Sequence, residues 1–259
     1  MDHRRVQRTL FRMQLDPDFA ARLRAGQAEA SCGLEAEELL LLRSADPAAV
    51  SADRDGKRRA VFLANVASEF PLSLEAGLCV DGFTGSEEFH AAVRADRSLP
   101  LALARYALRC SAAQPRPLRA LVTLEGALAR ARRELRPCRA PAPGEVALAP
   151  GVSLEVLPAG TLALAERIRE ALDAGKRTPA LALDTAPEET LLVRSAPASR
   201  PLGLREVEVE HASPALAALL CAACEPVARA TLAAALSTDR AELDPVIDEL
   251  IADRVLDSA

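Results

Sequence analysis

Apolar positions recur at helical spacing through the first half of the chain, and the pattern turns mixed after about residue 150. Asp16-Pro17 and Asp46-Pro47 each read as an N-cap followed by proline at the first helical position. Phe19 and Leu23 stand four apart ahead of Gly26, and Leu34 to Leu42 forms a further apolar stretch between Gly33 and Asp46. Val61, Phe62, Asn65, Val66 and Phe70 keep the helical period until Pro71 ends it. Further helices are predicted over 87–95, 99–110 and 118–135, and the short Gly, Pro or Ser breaks between them suit an antiparallel bundle.

The stretch Arg136-Pro-Cys-Arg-Ala-Pro-Ala-Pro-Gly144 packs three prolines and a glycine into nine residues, the composition of a semi-extended linker. The sequence therefore divides into a helical domain, 1–136, a Pro-rich linker, 137–150, and a mixed domain, 151–259. In the last of these, Val152, Leu154 and Val156 alternate as a short strand. Thr161 is the expected cap of a helix that runs to about Asp173 and stops at Gly175. Leu191–Ser195 and Arg205–Glu210 read as strands, the second with clean alternation of Val207 and Val209 against Glu206, Glu208 and Glu210. Helices over 213–223, 225–236 and 240–251 follow, and Pro245 marks either the first turn of the last one or a kink in it. The predicted fold class is α+β, an N-terminal all-helical bundle followed by a small winged-helix-like α+β domain.

Charge and composition narrow the chemistry. With 32 basic and 37 acidic residues the net charge is −5, which argues against a general nucleic-acid coat. Apolar runs such as Ala215 to Ala223 fall far short of the ~20 residues of a membrane span. Met1 to Arg12 is basic with no apolar core behind it, so the expectation is a cytoplasmic protein with no membrane partner. His3, His90 and His211 lie at no ligand spacing, and no P-loop, GxGxxG or GxSxG occurs, so the residues predict neither a catalytic centre nor a metal site. The six cysteines are expected to be mostly buried thiols. The spacing of Cys221-Ala-Ala-Cys224 can serve a redox disulfide, the basis of a rival reading as a redox enzyme, or half a zinc site. No second pair exists, and its place toward a helix C-terminus favours two small core residues on one helical face. The run Arg130, Arg132, Arg133, Arg136 and Arg139 is expected to be a solvated helix C-terminus.

Two uses of a winged-helix outline are open, a DNA- or effector-binding regulator and a peptide-binding module. The last helix and its approach carry Asp239, Glu242, Asp244, Asp248, Glu249 and Asp253 against Arg240 and Arg254, a face that DNA would repel. A strand edge beside a helix can instead accept an extended peptide as an added strand. The peptide-binding residues expected on that basis are Arg205, Val207 and Val209 on the strand and Asp244, Asp248 and Ile251 on the last helix.

Lys57-Arg58-Arg59-Ala-Val-Phe62-Leu-Ala-Asn65-Val66 followed by Phe70-Pro71 resembles the helical signature of partner proteins of multinuclear non-haem iron-dependent oxidative enzymes in ribosomal peptide (RiPP) maturation. The order of a helical half, a Pro-rich stretch, the Leu-Leu-Val-Arg194 strand, an alternating strand and three helices is similar to those partners, with a C-terminal module like a RiPP recognition element. Phe62 stands where tyrosine is common in them, and Phe70-Pro71 follows Asn65 more closely. The resemblance implies a non-catalytic accessory subunit that binds a precursor peptide and an iron-dependent oxidase. Iron would reside in the partner enzyme and no cofactor in this chain. Arg58, Arg59, Phe62 and Asn65 would contribute to the partner interface.

Overall fold

The computed structural model describes residues 3–15, 17–28, 33–45, 63–95, 97–110, 115–133, 139–177, 180–183, 188–196 and 206–259. The chain is mixed α+β, with helices dominating the N-terminal part, as its hydrophobic periodicity predicts. Two compact units are present, one comprising Met1–Pro71 with Cys79–Arg109 and the other Leu72–Leu78 with Cys110–Ala259.

The first unit is helical among its described residues. It contains α1 (His3–Leu15), α2 (Pro17–Arg24), α3 (Ala36–Ser44), a helical turn at 63–67, α5 (Glu87–Arg94) and α6 (Leu99–Cys110); α4 (Pro71–Glu75) leads out of it. Val6, Met13, Phe19, Leu23, Leu39 and Leu42 from α1, α2 and α3 share one apolar cluster. Ser86 caps α5 by accepting from the Phe89 N–H at 3.2 Å. Phe83 packs edge-on against Phe89 at 5.3 Å between centroids. A Cβ at Gly82 would stand 2.7 Å from the Tyr106 hydroxyl, so any larger residue there has to displace that ring.

In the second unit α7 (Arg116–Ala131) follows Pro115 and has Pro117 in its first turn, where a missing N–H costs nothing. Its stripe of Leu121, Leu124 and Leu128 faces a sheet of β2 (Val152–Pro158), β3 (Glu188–Ser195) and β4 (Val207–His211). That sheet is antiparallel in the order β2–β3–β4. Helix α8 (Thr161–Asp173) links β2 to β3 and adds Leu164, Ala165 and Ile168 to the same cluster. Glu189 of β3 caps α8, not Thr161: its carboxylate accepts from the Gly160 and Leu162 N–H groups at 3.2 and 2.9 Å, while the Thr161 hydroxyl donates to the Pro158 carbonyl.

A second, smaller sheet has the order β5–β1–β6, with β1 (Glu145–Leu148), β5 (Val227–Ala228) and β6 (Leu256–Ser258). It packs with α9 (Pro214–Ala222), α10 (Arg229–Ala235) and α11 (Arg240–Ala252) around Leu148, Leu220, Leu232 and Ile247. Two features differ from the sequence expectation. Residues 145–148, assigned there to a 137–150 linker, are the middle strand of this sheet, with Val146, Ala147 and Leu148 buried. The helix expected from Glu225 begins at Arg229, because Val227 pairs with Val146 first. Pro245 lies inside α11. The compact units also divide elsewhere than residue 136, since α7 buries its leucines under β2 and β3 and so belongs with the sheets.

Candidate functional site: the open edge of strand β4

Strand β4 pairs with β3 on one side, in the register Ser195–Val207, Val193–Val209 and Leu191–His211. Backbone bonds from Ala196 N–H to the Glu206 carbonyl (2.8 Å) and from Ala212 N–H to the Thr190 carbonyl (2.9 Å) fix which residues face inward. In an antiparallel ladder the bonded pairs alternate, so Glu206, Glu208, Glu210 and Ala212 turn their backbone groups toward β3. Val207, Val209 and His211 therefore turn their N–H and C=O groups away from it. Among the described residues no strand pairs with that outer edge.

Side chains on the two faces of this edge differ in kind. Val207 and Val209 are half-buried and pack toward Leu191, Val193 and the α7–α8 cluster. Glu206, Glu208 and Glu210 are exposed on the opposite face. Arg194 of β3 pairs with Glu208 at 2.9 Å and approaches Glu210 at 3.7 Å, so one guanidinium meets two of the three carboxylates in the row. The edge is thus apolar below, acidic above, and carries main-chain donors and acceptors that no strand pairs among the described residues.

The residues expected to form a peptide groove are placed as follows. Val207 and Val209 lie on this edge. Asp244 and Asp248 lie on α11 and meet Arg229, the first residue of α10, at 3.6 and 2.7 Å; Asp244 also bonds Arg240 at 3.2 Å. Ile251 packs half-buried against the small-sheet core. The two sets pack into different clusters: Leu243 and Ile247 of α11 join the small-sheet core, which also takes Leu192 of β3 and Ala212, while Val207 and Val209 pack against the α7–α8 cluster. Asn65 is exposed in the 63–67 turn, its carbonyl accepting from the Ser68 hydroxyl at 2.7 Å. Arg205, Arg58, Arg59 and Phe62 lie outside the described residues.

Other charged groups are engaged within their own unit. Arg130 pairs with Glu155 at 2.5 Å, Arg133 donates to the Ala129 carbonyl, and Arg139 pairs with Glu145. In the first unit a depression of about 190 Å³ is lined by Glu87, Glu88, Arg97 and Arg105. There Arg109 bonds both Glu88 oxygens, at 2.6 and 3.0 Å, and this bond lowers the Glu88 carboxyl to about 2. Among the described residues no group of three or more His, Cys, Asp or Glu side chains is arranged to hold a metal ion, and no helix is long and apolar enough to cross a membrane.

Sequence reasoning missed Glu125. It sits on the apolar stripe of α7, only 1% exposed, and its two oxygens accept from the Leu72 and Ser73 N–H groups at 2.8 and 2.9 Å. Burial pushes its carboxyl up to about 7, against the opposing pull of Ser73, the two N–H groups and Arg132. Its signal was visible, a glutamate one position after Leu124 on the face that also carries Leu121 and Leu128. The cysteines differ from expectation as well: Cys79, Cys110, Cys221 and Cys224 are exposed, and Cys32 and Cys138 lie outside the described residues. At the end of α9 it is Leu219, Leu220 and Ala223 that take the inward positions.

Comparison with protein-family models gives no match, and neither does comparison with curated proteins.

Proposed function

We propose that the chain is an accessory, peptide-binding subunit that captures an extended, basic precursor peptide on the outer edge of β4 and presents it to a separate iron-dependent oxidase. The observation that carries this reading is the outward row of Val207, Val209 and His211 main-chain groups beside the Glu206, Glu208 and Glu210 carboxylates. An added strand gains main-chain bonds from the first set, and its alternate side chains fall beside the second. Basic residues suit that row because Arg194 offsets only part of its charge. The oxidase enters through the resemblance of the Lys57–Pro71 segment to partner proteins of such enzymes; the iron belongs to that partner.

Peptide titration by fluorescence anisotropy tests the capture step. A labelled peptide alternating arginine with valine is expected to bind, more weakly as salt rises. Val207→Pro removes an outward N–H without touching the β3 ladder. It should weaken binding by up to about tenfold, the equivalent of one hydrogen bond. Unchanged affinity in the folded variant rejects the edge as the site. Tight, salt-sensitive retention of duplex DNA in place of peptide would reject the reading for a regulator. Co-purification with a candidate oxidase, with and without peptide, tests the presenting step.

A further inference from the structure

The CxxC pair at the end of α9 has no place in that reading, and its geometry is specific. Ser213 caps α9 by accepting from the Leu216 N–H at 3.2 Å, and Pro214 follows at the first helical position. The helix then lays Leu219, Leu220 and Ala223 into the small-sheet core, with Leu220 and Ala223 fully buried. Cys221 and Cys224 are left on the exposed side. Cysteine is among the most buried residue types when it serves packing alone, so two exposed thiols three positions apart are not explained by the core.

The backbone draws the two together. Cys224 N–H donates to the Cys221 carbonyl at 3.2 Å, closing a single turn on the pair. A turn closed this way keeps its end Cα atoms under roughly 7 Å apart, and disulfides form at Cα separations of about 4.4 to 6.8 Å. Of the two residues between them, Ala223 is pinned from both directions: its N–H donates to the Leu219 carbonyl at 3.0 Å, and its carbonyl accepts from Leu148 N–H of β1 at 3.1 Å. Joining the sulfurs therefore asks little of the core. A closed zinc centre takes four ligands, and among the described residues no third Cys, His, Asp or Glu joins this pair.

We propose that Cys221 and Cys224 form a reversible dithiol–disulfide site that exchanges with low-molecular-weight disulfides. One thiolate attacks a sulfur of the small disulfide, forming a mixed disulfide and releasing one small thiol. The second thiolate attacks the protein sulfur of that mixed disulfide, forming the Cys221–Cys224 bond and releasing the other small thiol. Two electrons and two protons pass in total from the protein pair to the small disulfide. The bond formed ties the last turn of α9 to the approach of β5, across the residue whose carbonyl holds β1.

The test uses the full chain equilibrated in buffers of oxidised and reduced glutathione, quenched by alkylation and digested with trypsin. Cleavage after Arg205 and Arg229 releases residues 206–229, in which Cys221 and Cys224 are the only cysteines. The expected product is this peptide short of two hydrogens and alkylated on neither cysteine, returning to the doubly alkylated form in excess reduced glutathione. In Cys221→Ser and Cys224→Ser the remaining cysteine should instead carry one glutathione. Double alkylation of the wild-type peptide at every buffer ratio, or a glutathione on each cysteine, would overturn the proposal. So would retention of stoichiometric zinc that protects both thiols from oxidation.

Discussion

The two sheets of the second unit reach closure by different means. β2, β3 and β4 have seven, eight and five residues, and their register between β2 and β3 is unbroken from Val152–Arg194 to Pro158–Glu188. β5, β1 and β6 have two, four and three. The longer sheet gains cohesion from its own ladder, and its helical cover tolerates polar groups: Ser73, Glu125 and Thr161 are all buried on that side. The smaller sheet has too few bonds to stand alone, so its integrity rests on the apolar helices packed around it. Packing defects should therefore damage the small sheet most, and ladder or charge defects the large one.

Ile247→Ala is the most severe way to test this. The side chain is fully buried in a cluster built mainly by the small sheet and its helices, with Val152 and Leu192 of the larger sheet at its border, so the variant should lose about 2 to 5 kcal/mol in urea unfolding. Amide exchange of Val146 to Leu148 should accelerate before that of Leu191 to Val193. Equal acceleration in both strands would show a single cooperative core and remove the distinction.

Glu125 sharpens the other half of the comparison. Its folded-state value, about 7, lies above the ordinary 4.5, so the native state holds a proton that the unfolded chain releases. The stabilisation is complete below about 4.5 and is lost as pH rises through 7. It amounts to the order of 3 kcal/mol. Urea midpoints measured at pH 5 and pH 8 should differ in that sense, and Glu125→Gln should flatten the difference. A slope that survives the substitution assigns the pH dependence to another group.

The mildest perturbation separates the two sides of β4. Glu208→Pro removes an N–H that faces β3 and should cost roughly 1 to 3 kcal/mol through a broken ladder and local strain. Val207→Pro removes an outward N–H and should change stability by less than about 1 kcal/mol. Equal losses, measured by thermal unfolding, would mean that the outer edge is not open.

How much of this was legible in the sequence follows the same contrast. β3 and β4 announce themselves, because Leu191 to Val193 and the alternation of Val207 with Val209 are long enough to show a period. α8 was legible from Thr161 to Asp173, though its cap comes from Glu189, across the sheet and out of reach of local pattern. β1 was hidden: four residues beside a proline cluster carry no period, and their partners lie at Val227 and Leu256. The exposed cysteines were misjudged because a general burial preference says nothing about which side of a helix end faces the core. Leu219, Leu220 and Ala223 decide that. At the site, the alternation identified Val207 and Val209, but pairing them with α11 required knowing which sheet that helix covers, a tertiary fact.

The position of β1 in the chain has a practical consequence. Everything else in the small sheet and its three helices comes from residues 214 onward, while the strand between β5 and β6 arrives from before β2. A fragment cut at residue 206 would carry a vacant slot shaped for a short segment that includes Glu145–Leu148. Supplied separately, that segment becomes the missing half of a split protein, and reassembly of the two pieces would report directly on the core they share.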